Sequence, residues 1–261
     1  MVTFRPAGFL IDATGVLYDS ESGSDGIPIS GSIEAIQELK DRCIPFKILS
    51  NASTKTPKEF VAKLVRLGFK LELDDVMSAI PAAKQYCQRN NLRPACFVGK
   101  DVKEFFADIH TEDAPDCVLL SYLDDDFSYK NMENMARILS GMEKPLLITV
   151  GNGKLFKRTT GFFLDVGTFA HILVHATGCE QVVMGKPSPA YFQAGLHNLN
   201  LEAHEVIMIG DDYEGDIVGA HANGIKAVLV KTGKYRSSTQ ILKEPYMVAN
   251  NLKAAIDYFM I

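Results

Sequence analysis

The sequence has few cysteines, no long apolar run and no excess of basic residues, and each shortage excludes a class of protein. The five cysteines form no CxxC pair and are odd in number, so neither a disulfide framework nor a zinc ribbon is predicted. No run of about eighteen apolar residues occurs, and the N-terminal segment lacks the charged and then apolar pattern of a secretion signal. We therefore expect a cytoplasmic protein that has no membrane partner.

Acidic residues outnumber basic ones, 32 against 27, for a net charge of −5 at pH 7. Binding a phosphate backbone requires clustered Lys and Arg, and no basic stripe is visible, so nucleic acid is not an expected partner. The chain has 261 residues, of which 47% are hydrophobic, and can therefore bury a full core. Its length fits one large α/β domain or two modest ones.

Short apolar runs alternate with helical patterns from the start of the chain. Residues 9–11 and 46–49 are predicted strands, and a helix with regular apolar spacing lies between them. The next helix begins at Thr56, with Pro57 in its first turn and Glu59 completing a capping box. This β-α-β-α order predicts a doubly wound, Rossmann-like parallel sheet with right-handed crossovers.

The middle of the chain differs from its two ends. Residues 80–180 contain short strand patterns and helices but no strand that ends in paired acids, and we interpret them as an inserted α/β domain. We assign residues 1–79 and 181–261 to the core, because residues 181–184 return to the pattern of a strand followed by polar residues. The predicted fold class is α/β.

Acidic side chains directly follow two of the predicted strands. Asp12 follows residues 9–11, and Asp211 and Asp216 follow the apolar run 206–209. Ligands bind at the carboxyl ends of parallel strands, so we expect these acids to converge on one crevice. Carboxylates that close repel one another unless a hard cation such as Mg²⁺ joins them. The sequence therefore predicts metal-assisted phosphoryl chemistry.

The order of polar residues along the chain extends this hypothesis. Asp12 is the candidate catalytic nucleophile, because a carboxylate can attack phosphorus to form an aspartyl phosphate. Ser50 and Asn51 end the next strand and are predicted to donate hydrogen bonds to the phosphoryl oxygens. Lys186 would supply a fixed positive charge for the same group, and the later acids would hold the metal.

These motifs resemble those of the haloacid dehalogenase superfamily of phosphohydrolases. The matching stretches are DATGVL at 12–17, ILSN at 48–51, GKP at 185–187 and GDD at 210–212. The insert has the place and size of the large α/β cap in the subfamily that contains nitrophenyl phosphatases and pyridoxal phosphatase. The resemblance implies a Mg²⁺-dependent hydrolase core with an inserted cap domain, and a homodimer joined through the caps.

The resemblance also implies roles for individual residues. Ala13 and Thr14 would contact the phosphoryl group beside the nucleophile, and Asp165, in the last part of the cap, would contact the rest of the substrate. The implied metal ligands are Asp12, the backbone carbonyl of Thr14, Asp211 and Asp216.

Thr14 departs from the usual pattern of the superfamily, which has a second Asp at this position. A Thr hydroxyl cannot deliver or take a proton near neutral pH, so an alkoxide leaving group becomes difficult. Imidazole, with a pKa of about 6.5, and phosphate leave more easily. We therefore expect N–P or P–O–P substrates, and the resemblance implies phosphohistidine or phospholysine, on a protein or as a small molecule, and inorganic pyrophosphate. Two alternatives stay open, a phosphatase for a small metabolite such as pyridoxal phosphate and a nearly inactive regulatory protein that binds a phosphorylated ligand.

Overall fold

The computed structural model describes residues 4–21, 23–236 and 241–260. The strands are β1 (Gly8–Ile11), β2 (Tyr18–Asp19), β3 (Ile27–Pro28), β4 (Phe46–Ser50), β5 (Val76–Ser78), β6 (Pro94–Phe97), β7 (Cys117–Leu120), β8 (Leu146–Val150), β9 (Leu155–Arg158), β10 (Gly161–Leu164), β11 (Glu180–Met184), β12 (Val206–Gly210), β13 (Lys226–Val230) and β14 (Met247–Ala249). The α-helices are α1 (Ser32–Asp41), α2 (Pro57–Arg66), α3 (Ala79–Arg89), α4 (Tyr129–Ser140), α5 (Val166–Thr177), α6 (Pro189–Leu199), α7 (Gly219–Ala222) and α8 (Leu252–Met260), and a π-helical turn, Tyr213–Val218, precedes α7.

The larger sheet has six parallel strands in the order β14-β13-β12-β1-β4-β5. Successive residues of β1 face opposite sides: Phe9 packs with α1 and α8, whereas Leu10 packs with α6 and α7. From β1 the chain builds the sheet in one direction, and from β12 it builds in the other. The carboxyl ends of β1 and β12 therefore flank the crevice where a doubly wound fold binds its ligand. The predicted fold class is confirmed.

The second helix begins and ends as its sequence predicts. The Thr56 side chain accepts a hydrogen bond from the Glu59 N–H, the Glu59 carboxylate accepts one from the Thr56 N–H, and Pro57 occupies the first turn. Gly68 follows the helix with φ of 101°, a backbone conformation that residues other than glycine rarely adopt. The helix is thereby fixed beside the carboxyl end of β4.

The smaller sheet has four parallel strands in the order β11-β8-β7-β6 and carries helices on both faces. An antiparallel hairpin, β9–β10, extends from it toward the core, where the Thr159 N–H donates to the Ser20 carbonyl at 2.9 Å. We call the segment from α3 to β11 the cap. None of the helices in the described ranges is both long and apolar enough to cross a membrane.

Strand β11 corrects one expectation. From the sequence pattern, residues 181–184 are expected in the larger sheet, but Glu180–Met184 pair with Leu146–Val150 in the smaller one. The expectation is wrong because an apolar strand followed by polar residues has the same pattern whichever sheet it completes. The chain returns to the core at Gly185, whose φ of 105° turns it toward Lys186.

Candidate active site

Asp12 stands directly beyond the end of β1 and is 9% exposed. Its N–H donates to the Ile209 carbonyl at 2.9 Å, which holds Asp12 beside the end of β12. Its Oδ1 accepts a hydrogen bond from the Ala13 N–H at 2.7 Å and lies 2.6 Å from Lys186 Nζ. The candidate nucleophile is therefore in contact with the predicted phosphoryl-binding lysine, while the Ala13 N–H is bonded to Asp12 itself.

Three carboxylates converge beside this contact. One oxygen each of Asp12, Asp211 and Asp216 lie within 4.8 Å of one another, and all three residues are buried. Asp216 Oδ1 lies 2.7 Å from Lys186 Nζ, so one ammonium bridges two of the acids. Asp211 Oδ2 accepts the Lys234 N–H at 2.6 Å, whereas its Oδ1 is buried and has no hydrogen-bond partner among the described residues.

The pKa values in this cluster indicate that one ammonium does not compensate for three carboxylates. Burial, reinforced by Asp12 and Asp216, raises the pKa of Asp211 well above its ordinary value. Burial also raises the pKa of Asp216 to about 7, although Lys186 opposes the change. Burial alone would lower the pKa of Lys186, but the two carboxylates beside it hold that pKa above its ordinary value. An all-oxygen cluster with a buried, unpartnered oxygen fits a hard divalent cation.

Two glycines allow the surrounding loops to approach Asp211. Gly15 and Gly233 have φ of 85° and 56°, and a Cβ on either one would overlap Asp211 Oδ2. The loop after β1 and the loop after β13 therefore close on the same carboxylate from two sides. The backbone, rather than side-chain packing, fixes this acid.

Ser50 and Asn51 lie where the sequence places them but have different partners. Both amide atoms of Asn51 bind the backbone of Lys186: Nδ2 donates to its carbonyl at 2.8 Å, and Oδ1 accepts from its N–H at 2.7 Å. Ser50 Oγ accepts the Ala52 N–H at 3.0 Å and faces the cavity. In this structure Asn51 positions Lys186, and its contact with a phosphoryl group remains a prediction.

Asp212, the middle acid of the motif, turns away from the cluster. Its Oδ1 accepts the N–H groups of Glu214 and Gly215, both at 3.1 Å, and so caps the π-helical turn. Its Oδ2 lies 2.8 Å from Lys234 Nζ. Burial would raise the pKa of Asp212, but Lys234 lowers it below its ordinary value. The role of Asp212 is to hold the loop that carries Asp216.

A cavity of about 200 Å³ opens over Asp12 between the core and the cap. Thr14 Oγ1 lies 3.0 Å from Tyr18 Oη on its wall. Asp165 reaches it from the cap, where its Oδ1 caps α5 by accepting the Val166 N–H at 2.7 Å, and burial raises its pKa. Ala13 and Asp211 do not line this cavity. The sequence-predicted residues that do line it are Asp12, Thr14, Ser50, Asn51, Asp165, Lys186 and Asp216.

Other residues line the cavity without having been predicted, among them two aromatic and two basic side chains. Tyr122 and Phe156 form an edge-to-face pair with ring centroids 5.1 Å apart, and Arg158 follows on the same hairpin. Lys63 extends from α2, with its Nζ 4.0 Å from the centre of the Tyr18 ring. No local signal marks these residues, because a lysine on an amphipathic helix is usually solvated and the cap side chains become neighbours of Asp12 only in the folded chain.

Two family profiles match this chain. The family profile described as haloacid dehalogenase-like hydrolase matches residues 9–112, which include Asp12, Ser50 and Asn51. A second profile, described as HAD-hydrolase-like, matches residues 183–255, which include Lys186 and Asp211. The two profiles thus match the two parts of the chain that form the active site.

Relatives of this chain extend over nearly its whole length. The human phospholysine phosphohistidine inorganic pyrophosphate phosphatase is 39% identical over 257 residues, 97% of this chain and 94% of that protein. The Danio rerio protein of the same name is 38% identical over 96% of this chain and 93% of its own. The p-nitrophenyl phosphatase from Archaeoglobus fulgidus shares the fold, with a TM-score of 0.80 at 23% identity over 97% of this chain and 99% of that one.

The fold and the relatives define a hydrolase with a cap domain. With these similarities, the chain belongs to the haloacid dehalogenase superfamily of phosphatases. The resemblance found in the sequence motifs is confirmed, and so is the enzyme class.

Proposed function

We propose that the protein is a Mg²⁺-dependent phosphatase that forms an aspartyl phosphate on Asp12 and acts on N–P or P–O–P bonds. The observation that carries this proposal is the contact of Asp12 with Lys186 beside two further buried carboxylates. A nucleophile, a cation for the phosphoryl oxygens and an oxygen cluster for a metal stand together at the carboxyl ends of β1 and β12.

The residues around Asp12 fit a Mg²⁺ ion, which would be held by Asp12, Asp211, Asp216 and the Thr14 carbonyl. When bound, Mg²⁺ neutralises negative charge that develops on the phosphoryl oxygens. The buried, unpartnered Oδ1 of Asp211 supports this assignment, since such an atom is costly without a partner.

The chain's own residues supply the remaining steps. An Asp12 oxygen attacks phosphorus, the bond to the leaving group breaks, and the leaving group departs with the electron pair. Water then attacks the phosphorus of the aspartyl phosphate, the bond to Asp12 breaks, and inorganic phosphate is released. Lys186 and Ser50 hold the phosphoryl oxygens during both displacements. We expect Ala13 and Asn51 to contact the same oxygens.

The choice of leaving group rests on Thr14. Its hydroxyl is paired with that of Tyr18, and burial raises the pKa of Tyr18 to about 12, so neither is an acid at neutral pH. Leaving groups that depart without a strong general acid are therefore favoured. The relatives named for phospholysine, phosphohistidine and pyrophosphate support the same choice.

A second candidate is a phosphatase for a small aromatic metabolite such as pyridoxal phosphate. The edge-to-face pair of Tyr122 and Phe156 in the cavity wall favours it, because aromatic walls bind flat rings. In either case we expect Asp165, which lines the cavity from the cap, to contact the leaving group. We also propose a homodimer joined through the caps, which sedimentation analysis would test.

The test is phosphate release from phosphohistidine, phospholysine, pyrophosphate, pyridoxal phosphate, a sugar phosphate and p-nitrophenyl phosphate, with Mg²⁺ and with a chelator. The Asp12→Asn protein is the blank. We expect Mg²⁺-dependent release from the first three substrates, none from the blank, and little from the sugar phosphate. Fastest release from pyridoxal phosphate would support the second candidate. Release by Asp12→Asn at the wild-type rate would contradict the mechanism.

A further inference from the structure

Lys63 is a buried lysine whose ammonium has no carboxylate partner. It is 9% exposed, and no carboxylate oxygen of the described residues lies within 4.0 Å of its Nζ. Lys186 and Lys234, by contrast, have carboxylate oxygens at 2.6 and 2.8 Å. The only contact found for the Lys63 ammonium in the described part of the chain is the face of the Tyr18 ring, 4.0 Å from Nζ to its centre.

The charges around Lys63 do not compensate for its burial. Asp25, the carboxylate whose field reaches Lys63, is bound at both oxygens by Arg66, at 2.6 and 3.0 Å. Lys55 and Arg66 add positive charge. Burial lowers the pKa of Lys63 to about 8, which records the cost of keeping this ammonium away from water. An anion bound from outside the chain would stabilise a buried cation of this kind.

Lys63 lines the cavity that holds Asp12, and Arg158 lines it from the cap. The Arg158 guanidinium is fixed by Asp124, 3.2 Å away, and by the rings of Phe156 and Phe163, with centroids at 5.0 and 4.8 Å. In phosphoryl transfer the attacking and leaving atoms are in line, so the leaving group must point away from Asp12 and toward the rest of this cavity. Besides Lys186 and Lys234, which are paired with carboxylates of the site, Lys63 and Arg158 line the cavity that the leaving group enters.

We propose that Lys63, together with Arg158, binds a second anionic group on the leaving-group side of the substrate. The preferred substrates are then phosphoanhydrides, in which two anionic phosphoryl groups share one bridging oxygen, with inorganic pyrophosphate as the smallest example. This inference rests on the proposed function, because it uses the same cavity and the same nucleophile. It narrows that function from N–P and P–O–P bonds to substrates with an anionic leaving group.

A purely structural role for Lys63 would be to pack its methylene stem over Tyr18. Lys63→Met retains an apolar stem of similar length and removes the charge, so it separates the two roles. Lys63→Gln is a second variant that removes the charge while remaining polar. Lys58→Met, on the exposed side of the same helix, is the matched control.

The experiment is calorimetric binding of methylenediphosphonate and of orthophosphate, with Mg²⁺ present, to the wild type and the three variants. The diphosphonate carries two anionic groups and cannot be hydrolysed at its bridge, so the readout does not depend on turnover. We expect the wild type to bind it at least about tenfold more tightly than orthophosphate. Both Lys63 variants should lose about tenfold for the diphosphonate, or about 1.4 kcal/mol, and less than about twofold for orthophosphate. Lys58→Met should bind like the wild type.

An unchanged ratio of the two affinities in both folded Lys63 variants would overturn the proposal, and so would a wild type that binds the two ligands equally. The proposed function is tested separately by Mg²⁺-dependent hydrolysis of phosphohistidine, whose imidazole leaving group carries no second phosphoryl group. Absence of that activity in the wild type, together with a Lys63-dependent diphosphonate affinity, would refute the phosphatase mechanism but retain the anion site.

Discussion

Replacement of Asn51 by Ala tests whether this side chain positions Lys186 or acts only by contacting the phosphoryl group. The substitution removes the two hydrogen bonds of 2.7 and 2.8 Å to the backbone of Lys186. A hydrogen bond contributes about 0.5–1.5 kcal/mol net, and a buried polar group left without a partner costs about 1–3 kcal/mol. Because the site is only partly buried, water replaces some of these contacts. We expect the free energy of unfolding to fall by about 2 kcal/mol.

For a chain of this size, that loss lowers the midpoint of thermal unfolding by roughly 4–8 °C. The assay is thermal unfolding of the metal-free and substrate-free protein, followed by circular dichroism. Activity should also fall by about 10²-fold, because Lys186 Nζ loses its alignment with Asp12. Both effects follow from the same two hydrogen bonds.

Asn90→Ala is the control for the Asn51 variant. Asn90 is exposed at the end of α3 and donates only to the carbonyl of Tyr86 in its own helix, at 2.9 Å. Its loss should change the free energy of unfolding by less than about 0.5 kcal/mol. If Asn51→Ala unfolds at the wild-type temperature and yet loses activity, the positioning argument is refuted. Asn51 would then act on the phosphoryl group alone, as the sequence motif indicates.

Three further predictions concern the metal cluster and Lys63. Mg²⁺ at about 100 times its dissociation constant should stabilise the wild type by about 2.7 kcal/mol in thermal unfolding, and Asp211→Asn should abolish most of this gain. Gly233→Ala must accommodate a φ of 56° and the overlap of the new Cβ with Asp211. Its free energy of unfolding in urea should fall by at least about 1 kcal/mol, and Mg²⁺ should stabilise it less than the wild type. Equal stabilisation by Mg²⁺ would contradict the role of this glycine. Lys63 has a pKa of about 8 in the fold against 10.5 ordinarily, so its burial costs stability below pH 8, and this cost disappears as the pH rises toward 10.5. Lys63→Met should therefore be more stable than the wild type at pH 7 by about 1–3 kcal/mol, and urea unfolding at pH 10 should show a smaller difference.

The parts of the fold that the sequence predicts are those determined by local chemistry. Thr56 and Glu59 complete a capping box through contacts between residues three positions apart. The strands that contain Phe9 and Ile207 are uninterrupted apolar runs, and they are buried in the core. Strand β11 shows where local chemistry is insufficient. Its partner β8 lies more than thirty residues earlier, and only the parallel pairing decides which of two sheets it joins.

The candidate site divides in the same way. Asp12, Asp211 and Asp216 converge because each follows a strand that ends at one edge of the sheet, so position along the chain is sufficient to predict them. Asn51 binds the backbone of Lys186, 135 residues further along the chain. The motif around Asn51 does not indicate these hydrogen bonds. Lys63 is harder still to predict, since its burial and its contact with the Tyr18 ring exist only in the folded chain. Motifs are therefore sufficient to predict the candidate nucleophile and the acid cluster. The leaving-group site that we propose also uses Arg158 from the cap, which no motif marks, and for this reason the motifs predict the reaction more fully than the substrate.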